Sequence, residues 1–451
     1  MLAEQVCVAV CLVVFVEEHA GPVLDFNSNP GSSLMVLSRC DVGFSHKIKV
    51  NRVRHQWILE AKMKETAAVT IVGGGIAGTS VAYHLGLMGK NDTVLVEQEA
   101  LAYGSSSRSN SIVERQLLTE FDILLRVKSF ETLTYFFREK GVVFTPIGYI
   151  RITSDEEDIA KYHDSIRIQR SLGVKDSRVL QPKELQKILP FLNVDDIAGA
   201  LYGESDGVTD GSQLTAAFAR EAERLGVEVA LRTRVEGISR SGSRRFVVKT
   251  NRGNISCDYV VNAAGAWARK IGDMAGVDVP VKPARREYVI LRVPYENAGK
   301  MPFFIDMKSR LYMHGTGGKG HEVYSGIHRD ADRGEPAEDP DNYNQGQDFE
   351  FVEKVAKAIE YKAPGLSGAS VKGGIVGLYE ITPDSRPILG EHPELPGFIN
   401  CNGFSGYGIQ LSPIAGRLTA EIIVKGKTAT IGDISALAID RFKTKKDYSL
   451  F

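Results

Sequence analysis

Apolar residues follow two different patterns along this chain. Short continuous apolar runs, such as residues 69–72 and 94–96, alternate with stretches of helical spacing, which predicts buried parallel strands connected by helices. Between residues 281 and 326, strand-like segments alternate apolar and polar side chains, which predicts an antiparallel sheet. Residues 143–153 are predicted to form one strand, and residues 156–189 helices. The expected fold class is α/β, or α+β overall, with a parallel sheet in one domain and an antiparallel sheet in a second.

A glycine-rich turn follows the first apolar run directly. Gly73, Gly75 and Gly78 come after the strand at residues 69–72 and lead into a helix over residues 76–88. In a nucleotide-binding βαβ unit, three such glycines provide the tight turn, the close approach of the backbone to a pyrophosphate and the close packing of helix on strand. The helix N-terminus adds a favourable position for phosphate groups. The alternative is an ordinary turn between a strand and a helix.

An acidic residue ends the second strand of this unit. Glu97 lies 19 residues after Gly78, at the distance where a carboxylate accepts hydrogen bonds from both hydroxyls of a ribose. Such a carboxylate favours FAD or NAD, because it would repel the 2′-phosphate of NADP. The strand, turn, helix and acid together predict a Rossmann-like dinucleotide-binding domain.

Composition and charge exclude several classes of partner. The chain has 451 residues, of which 43% are hydrophobic, and its 55 basic side chains are balanced by 56 acidic ones. Such a chain has no bulk charge to attract nucleic acid or a membrane surface. The five cysteines are odd in number, which favours a reducing compartment, and we expect a cytoplasmic location. His314, His321 and His328 recur every seven residues, but in a strand-forming segment, so no metal site is expected.

The first 62 residues differ in pattern from the rest of the chain. Residues 6–16 form an apolar run of eleven residues, which is too short for a bilayer-spanning helix of about 20 residues. No basic residues precede the run, as they would in a secretory signal. We therefore expect no integral membrane segment, and an N-terminal extension over residues 1–62 that is not part of the fold, with Met63 as the native start. A targeting or anchoring segment is the alternative.

Four further blocks carry small and polar residues where a ligand could approach. Residues 104–115 form a loop rich in hydroxyl groups that suits a phosphate or a flavin edge, with a plain solvated loop as the alternative. An apolar strand runs into Asn-Ala-Ala-Gly at residues 262–265, where small side chains leave room for a ligand. Residues 377–390 contain the sequence Tyr-Glu-Ile-Thr-Pro-Asp, and a turn with three glycines at residues 403–408 again leads from a strand into a helix.

In this order, the motifs resemble the FAD-dependent amine oxidoreductases of the D-amino-acid oxidase superfamily, which includes sarcosine oxidases and dimethylglycine, L-proline and D-amino-acid dehydrogenases. The resemblance covers about residues 69–441. It implies that the dinucleotide is FAD, with Glu97 at the adenosine ribose, Val235 at the adenine, and backbone amides of residues 403–410 at the flavin pyrimidine. The cofactor contacts that it implies are Gly73, Gly75, Ile76, Ala77, Gly78, Glu97, Gln98, Ser105, Ser106, Ser107, Arg108, Val235, Ala264, Gly265, Trp267, Gly403, Ser405, Gly406, Tyr407, Gly408, Ile409 and Gln410.

The chain departs from parts of this family at specific positions. Gly377 stands where members with a cysteine-linked flavin carry that cysteine, so we expect non-covalent FAD. Cys401 is expected to be a small buried hydrophobic residue. Gln410 stands where sarcosine oxidases have a carboxylate-binding lysine, and the sequence around it resembles D-amino-acid dehydrogenases. The arginine of the family's loop corresponds to either Arg108 or Arg115.

The resemblance implies an enzyme that oxidises the C–N bond of a small amino acid or secondary amine of the sarcosine, dimethylglycine, proline or D-amino-acid type. Hydride transfer to flavin N5 would give an imine. A bidentate arginine is a natural anchor for a substrate carboxylate, and strand alternation would place Arg286 and Tyr288 on one face. The candidate catalytic and substrate-binding residues are Gln410, Tyr379, Arg286, Tyr288, Tyr312 and His314. Each candidate has an alternative interpretation. The tyrosines could be ordinary aromatic residues of a sheet, and the histidine could be buried with its hydrogen bonds satisfied. The arginine could form a surface ion pair, which contributes little to stability.

Two other functions remain as alternatives: a FAD-dependent 2-hydroxy-acid dehydrogenase, and a non-catalytic flavoprotein subunit or assembly factor. The expected partners are a small-molecule substrate and an electron acceptor, either O2 or a dye- or quinone-type carrier, and a homo- or hetero-oligomer is left open. The expected domains are a discontinuous FAD-binding domain of residues 63–115, 200–275 and 372–441, a substrate-binding domain of residues 116–199 and 276–371, and a C-terminal tail of residues 442–451.

Overall fold

The computed structural model describes residues 63–242, 245–318, 320–328 and 338–444. The predictions for the N-terminal extension and for most of the C-terminal tail lie outside the described residues. Within the described part of the chain, no helix combines the length and the apolar character needed to cross a membrane.

A mixed sheet of eight strands contains the predicted βαβ unit. Its centre is parallel: the first strand pairs with the second on one side and with the strand that ends at Asn262 on the other. Leu95 of the second strand packs into one core layer, and its neighbours Val94 and Val96 pack into the opposite one, so these apolar runs are buried on both faces. The strands are β1 (Thr66–Val72), β2 (Thr93–Val96), β9 (Glu228–Ala230), β10 (Val235–Ser241), β11 (Arg245–Thr250), β12 (Gly253–Asn262), β18 (Ile388–His392) and β19 (Leu395–Asn402).

A second sheet of eight strands is largely antiparallel. Along the sheet the order is β17-β13-β16-β15-β14-β5-β7-β6, and only the β14–β5 pair is parallel. The strands are β5 (Tyr149–Thr153), β6 (Ser177–Leu180), β7 (Gly199–Gly203), β13 (Lys282–Arg292), β14 (Phe303–Asp306), β15 (Leu311–Gly315), β16 (Glu322–Ile327) and β17 (Ser370–Ile381). A third, small sheet joins β3 (Ile112–Val113), β8 (Gly207–Thr209) and β4 (Phe144–Thr145).

Helices cover these sheets. The core on one face of the first sheet is shared by α1, α2, α5 and α8, and one face of the second sheet packs on α7 through Phe351, Val355 and Ile359. The opposite face of the second sheet contributes side chains of β5, β13, β14, β15 and β17 to the pocket described below. The helices are α1 (Ile76–Leu87), α2 (Glu120–Glu139), α3 (Glu156–Ser171), α4 (Pro182–Ile188), α5 (Gly211–Arg224), α6 (Ala268–Ala275), α7 (Phe349–Lys362), α8 (Gly408–Lys425) and α9 (Arg441–Thr444).

The predicted fold class is confirmed, and two local predictions are wrong. Residues 143–153 do not form one strand: a turn with Gly148 at φ +84° separates β4 from β5, and the two strands belong to different sheets. Residues 156–189 contain the strand β6 between two helices, because residues 177–180 pair with β7 at the edge of the second sheet.

The sheet memberships also bear on the proposed domain division. The strands β7 and β17 pair within the second sheet. They overlap residues 200–275 and 372–441, which the sequence predicts to belong to the FAD-binding domain. We therefore propose that residues 199–203 and 370–381 belong with the substrate-binding segments, and that the other boundaries stand.

Candidate functional site

The glycine-rich turn has a backbone that only glycine fits. At Gly73, φ is +113°, and a Cβ atom there would lie 2.4 Å from the carbonyl oxygen of Ala263. A Cβ atom at Gly78 would lie 1.9 Å from the carbonyl oxygen of Gly73, so α1 packs against the turn itself. At the start of α1, the N–H of Ile76 donates to the Oγ of Ser106 at 3.0 Å. The predicted βαβ turn is therefore closed tightly enough for a pyrophosphate to approach its backbone.

The carboxylate of Glu97 is held at the end of β2. It accepts hydrogen bonds from the N–H of Gly74 at 2.6 Å and from the N–H of Glu99 at 2.8 Å. Only 9% of Glu97 is exposed. Burial raises the pKa of its carboxyl group, and the hydrogen bonds from the backbone lower it by less, so the net shift is upward. Gln98 beside it is half-buried, and Val235 begins β10 as a buried residue. The contact of both Glu97 and Val235 with the adenosine stays a prediction.

The polar loop at residues 104–115 links the glycine turn to β17. A single helical turn, Ser105–Arg108, carries its hydroxyl groups. The Oγ of Ser105 donates to the carbonyl of Leu378 at 2.6 Å, and the guanidinium of Arg108 donates to the carbonyls of Tyr103 and Gly104. The loop is thus a built part of the site and not a plain solvated loop.

The turn at residues 403–408 forms the opposite wall. Gly403 has φ +75° and Gly406 φ +98°, and the non-glycine Ser405 also adopts a positive φ of 51°. The Oγ of Ser405 accepts the N–H of Thr382 at 3.2 Å, which ties the turn to the end of β17. The helix α8 begins at Gly408, where a Cβ atom would lie 3.8 Å from the Cγ2 of Ile76. Two helix N-termini, those of α1 and α8, therefore meet, and both favour negative charge.

A buried polar network lies under the start of α8. The Oε1 of Gln410 accepts the N–H of Glu114 at 3.1 Å, and the Nε2 of Gln410 donates to a carboxylate oxygen of Glu114 at 3.4 Å. The same carboxylate forms a buried ion pair with Arg126, at 3.1 Å. The guanidinium of Arg126 lies 5.2 Å from the ring centroid of Tyr407. Gln410 therefore lines the pocket with its amide engaged by Glu114.

The open face of the second sheet completes a pocket of about 200 Å³. The pocket is lined by Arg286 and Tyr288 of β13, by Tyr312 of β15 and by Tyr379 of β17. The guanidinium of Arg286 lies 5.7 Å from the ring centroid of Tyr379. Burial raises the pKa of both Tyr288 and Tyr312 well above the ordinary value of a phenol, so both phenols stay protonated at neutral pH and can donate hydrogen bonds.

His314 is the one substrate-binding candidate that does not line this pocket. Its Nδ1 hydrogen-bonds to the carbonyl of Gly315 at 2.8 Å, and its ring packs between those of Phe303 and Tyr324. Burial lowers the pKa of His314 to about 4, so it is neutral at physiological pH. Its Nε2 is buried without a hydrogen-bond partner among the described residues, so the ring is packed but only partly satisfied, and its role stays a prediction.

The predicted cofactor contacts divide into two groups. Ten of them line the pocket: Ile76, Ser105, Ser106, Arg108, Ser405, Gly406, Tyr407, Gly408, Ile409 and Gln410. The others lie along the glycine turn and the start of α1, in the helical turn Ser105–Arg108, beside the ends of β2, β10 and β12, or directly after β19: Gly73, Gly75, Ala77, Gly78, Glu97, Gln98, Ser107, Val235, Ala264, Gly265, Trp267 and Gly403.

Several pocket residues were missed from the sequence. Arg151, Tyr149 and Phe303 line the pocket, as does Glu380. Burial raises the pKa of Glu380 to about 7, although the N–H of Gly403 donates to it at 2.9 Å. A charged residue inside an otherwise apolar strand was the available signal for Arg151. No sequence signal identified the other three, because they reach the pocket only through sheet pairing.

These residues fit FAD. The glycine cradle leaves no space for a Cβ atom but leaves backbone exposed to a diphosphate, and two helix N-termini face the same region. In addition, the Oδ1 of Asn110 lies buried in the pocket without a hydrogen-bond partner among the described residues, as expected of a group that meets a ligand. Within the described ranges, no cluster of three or more His, Cys, Asp or Glu side chains is arranged for a metal ion.

The Rossmann-like sheet, the glycine cradle and the pocket against a second sheet define a FAD-dependent oxidoreductase fold. The chain belongs to the DAO family: the family model described as FAD dependent oxidoreductase matches residues 68–422. Mouse mitochondrial sarcosine dehydrogenase is 30% identical over 383 residues, which is 81% of this chain and 40% of that protein. The chain thus spans about two fifths of the sarcosine dehydrogenases that it matches.

Other relatives match over more of their length. FAD-dependent oxidoreductase domain-containing protein 1 of Xenopus laevis is 30% identical over 423 residues, which is 84% of this chain and 83% of that protein. Among solved structures, L-proline dehydrogenase from P. horikoshii is 28% identical with a TM-score of 0.75, covering 84% of this chain and 99% of that one. The similarity therefore extends through both large sheets.

Proposed function

We propose that this chain is a FAD-dependent oxidoreductase that oxidises the C–N bond of a small amino acid or secondary amine. The observation that carries the proposal is the pocket in which Arg286 and its tyrosine neighbours face the N-terminus of α8. An arginine beside phenol groups suits a carboxylate, and a helix N-terminus suits negative charge on a reduced flavin. The names of its relatives support this substrate class: they include sarcosine and dimethylglycine dehydrogenases and a 4-methylaminobutanoate oxidase.

In this proposal the residues bind and orient. Gly73 to Gly78 and Glu97 hold FAD without a covalent link, and FAD, when bound, accepts a hydride from the carbon beside the substrate nitrogen. Arg286 anchors the substrate carboxylate, with its guanidinium kept in place by the ring of Tyr379. Tyr288 donates a hydrogen bond, since its phenol stays protonated. An amine that binds in its neutral form needs no strong base, and none of the pocket residues is assigned that role.

A second candidate function is a flavoprotein subunit that regulates another enzyme. The observation that favours it is the 29% identity, over 80% of this chain, to the mouse mitochondrial pyruvate dehydrogenase phosphatase regulatory subunit. Such a subunit would bind FAD through the same cradle, and no amine would reduce it.

Anaerobic bleaching of the flavin absorbance tests both candidates. The purified protein is mixed with sarcosine, dimethylglycine, proline, D-amino acids and 2-hydroxy acids in turn. Bleaching by an amine supports the proposal, and the Arg286→Met variant should then need a higher concentration of the same amine. Bleaching by a hydroxy acid alone would replace the proposed reaction with 2-hydroxy-acid oxidation, and no bleaching at all would favour the subunit. Reoxidation in air or only by a dye identifies the acceptor.

The mode of FAD attachment has its own test. Acid precipitation of the purified protein should leave the yellow flavin in the supernatant, because Gly377 provides no thiol and the described cysteines, Cys257 and Cys401, are buried outside the pocket. Flavin that stays with the precipitate would show a covalent link through another residue.

A further inference from the structure

A buried arginine faces the pocket at its other end. Arg151 lies on β5, is only 7% exposed and lines the pocket. Its Nε has no hydrogen-bond partner among the described residues, and its Nη1 contacts the Sδ of Met307, a weak acceptor, at 3.7 Å. A buried guanidinium with such poor partners is unfavourable unless an anion meets it.

The acidic groups of the pocket do not provide that anion, because each has other partners. Glu114 pairs with Arg126, Glu287 pairs with Arg285 at 3.0 Å, and Glu380 accepts the N–H of Gly403. Burial works to lower the pKa of the Arg151 guanidinium, but the nearby tyrosines and then Glu114 raise it above its usual value. Arg151 therefore remains positively charged with no acid of its own in the described part of the pocket.

Sheet pairing fixes where Arg151 lies relative to Arg286. Ile305 of β14 pairs with Arg151 on one side and with Tyr312 on the other, so these three residues share one face. Four strand steps separate β5 from β13 in the sheet order, which corresponds to roughly 19 Å between the backbones at about 4.8 Å per step. Both arginines line the same pocket. Their side chains therefore enter it from widely separated strands.

The surface between the two arginines is formed by Ile305 and the ring of Tyr312, because the sheet register places Tyr149 and Phe303 on the far side of Arg151 from Arg286. The rings of Tyr149 and Phe303 are stacked with centroids 4.6 Å apart, and the rings of Phe303 and Tyr312 are nearly parallel with centroids 5.9 Å apart. A Cβ atom at Gly326 would lie 2.4 Å from the phenol oxygen of Tyr312, so this glycine gives the ring space to lie over β16. Such a surface favours an apolar spacer between two charged ends.

We propose that the substrate is an amine with two carboxylates, and that Arg151 binds the carboxylate distal to the reacting C–N bond. This inference rests on the proposed function, in which Arg286 binds the other carboxylate. A methylene spacer would lie over Ile305 and the ring of Tyr312. Arg151 is thus a specificity-determining residue that selects extended amino dicarboxylates over small monocarboxylic amines.

The test uses the flavin-containing protein and compares Arg151→Met with Arg151→Lys and with Arg170→Met, an exposed arginine of α3. Acetate, succinate, glutarate and adipate are titrated as non-reacting probes, and the perturbed absorbance of the oxidised flavin gives their dissociation constants. Sarcosine, N-methylaspartate and N-methylglutamate are then compared as reductants under anaerobic conditions. Thermal unfolding without ligand is measured for every variant.

In the wild-type protein, a dicarboxylate should bind more tightly than acetate. Arg151→Met should weaken dicarboxylate binding by roughly 10- to 100-fold, the range of a charge-assisted hydrogen bond, and leave acetate binding unchanged. Arg151→Lys should have an intermediate effect and Arg170→Met none. Because the described residues offer the Arg151 charge only the longer-range attraction of Glu114 and Asp158, Arg151→Met should unfold at a temperature no lower than the wild type, whereas loss of a purely structural arginine would lower it.

The outcomes separate this inference from the proposed function. Reduction by sarcosine and N-methylglutamate that is equal in the wild type and in Arg151→Met would overturn the role of Arg151 and leave amine oxidation standing. Dicarboxylate binding that depends on Arg151, without reduction by any amine, would overturn amine oxidation and retain the acid-binding site. Equal affinity for acetate and all dicarboxylates would contradict the inference directly.

Discussion

The ring of Tyr379 lies against Gly406 so closely that no other residue fits there. A Cβ atom at Gly406 would lie 2.4 Å from the Cε2 of Tyr379, and the backbone there has φ +98°. The contact joins the end of β17, which carries Tyr379, to the turn that precedes α8. The position of one substrate candidate and the shape of the turn predicted to lie at the flavin are therefore set by the same contact.

Replacing Gly406 by alanine should disrupt this turn. We expect Gly406→Ala to lower the free energy of unfolding by about 1–3 kcal/mol through backbone strain alone, and to reduce the FAD bound per chain, since the clash displaces Tyr379 or the turn. Flavin absorbance per protein and chemical denaturation measure both effects. Gly432→Ala is the matched control, because a Cβ atom at Gly432 meets no atom within 4 Å. Full flavin content in Gly406→Ala would contradict the assigned role of the turn.

Glu97 should contribute to FAD affinity. We expect Glu97→Gln to weaken FAD binding roughly 10-fold or more, because a carboxylate that accepts hydrogen bonds from ribose hydroxyls binds more strongly than an amide does. Fluorescence titration of the apoprotein with FAD measures the dissociation constant. Glu99→Gln removes an exposed acid two residues away and should leave it unchanged. Equal FAD affinities in Glu97→Gln and Glu99→Gln would contradict the predicted contact between Glu97 and the adenosine ribose.

Glu380 should make stability depend on pH in a defined window. Burial raises the pKa of its carboxyl group from 4.5 to about 7 on folding. Between these values the folded chain holds a proton that the unfolded chain has lost, so the stabilisation present below pH 4.5 is lost as the pH rises to about 7. The stabilisation that is lost amounts to about 3 kcal/mol, because each unit of pKa shift corresponds to about 1.36 kcal/mol.

The Glu380→Gln variant removes this titration. Its free energy of unfolding should fall less steeply than that of the wild type between pH 4.5 and 7, and the exposed control Glu139→Gln should follow the wild type. Denaturation curves at several pH values provide the comparison. Parallel profiles for Glu380→Gln and the wild type would show that Glu380 ionises normally in the folded protein.

The C-terminal segment should depend on one ion pair. Arg441 donates two hydrogen bonds to the carboxylate of Asp384, at 2.8 and 2.9 Å, and is only 8% exposed. Asp384→Ala leaves this buried guanidinium without its acid and should cost about 3–5 kcal/mol in unfolding free energy. Glu394→Gln breaks the ion pair between Glu394 and Lys443. The Lys443 side chain is 63% exposed and the Glu394 side chain 62% exposed, so the loss should cost at most about 1 kcal/mol. Equal losses in the two variants would contradict this ranking.

The features predicted best from the sequence are those encoded by neighbouring residues. The glycine turn and Glu97 lie within one βαβ unit, and the helix expected over residues 76–88 is observed as Ile76–Leu87. Alternation along residues 286–291 likewise placed Arg286 and Tyr288 on one face of a strand, and both line the pocket. In these cases local spacing determines the geometry.

The parts of the site that were missed depend on strand order. Arg151 lies about 135 residues before Arg286 in the sequence, and nothing local in β5 shows that it shares a sheet with β13. His314 has the alternation expected of a pocket residue, but its ring packs against Phe303 and Tyr324 and stays outside the pocket. Alternation identifies a face of a strand, and the neighbouring side chains decide which residues of that face reach a ligand.

The placement of β19 and α8 has a consequence for how the protein is made. β12 pairs with both β1 and β19, and the turn that leads from β19 into α8 completes the pocket wall. A nascent chain that has reached β12 already has its glycine cradle but still lacks residues 403–410. Since synthesis proceeds from the N-terminus, this wall of the pocket can form only after residue 410 has left the ribosome, so the pocket is completed long after the glycine cradle.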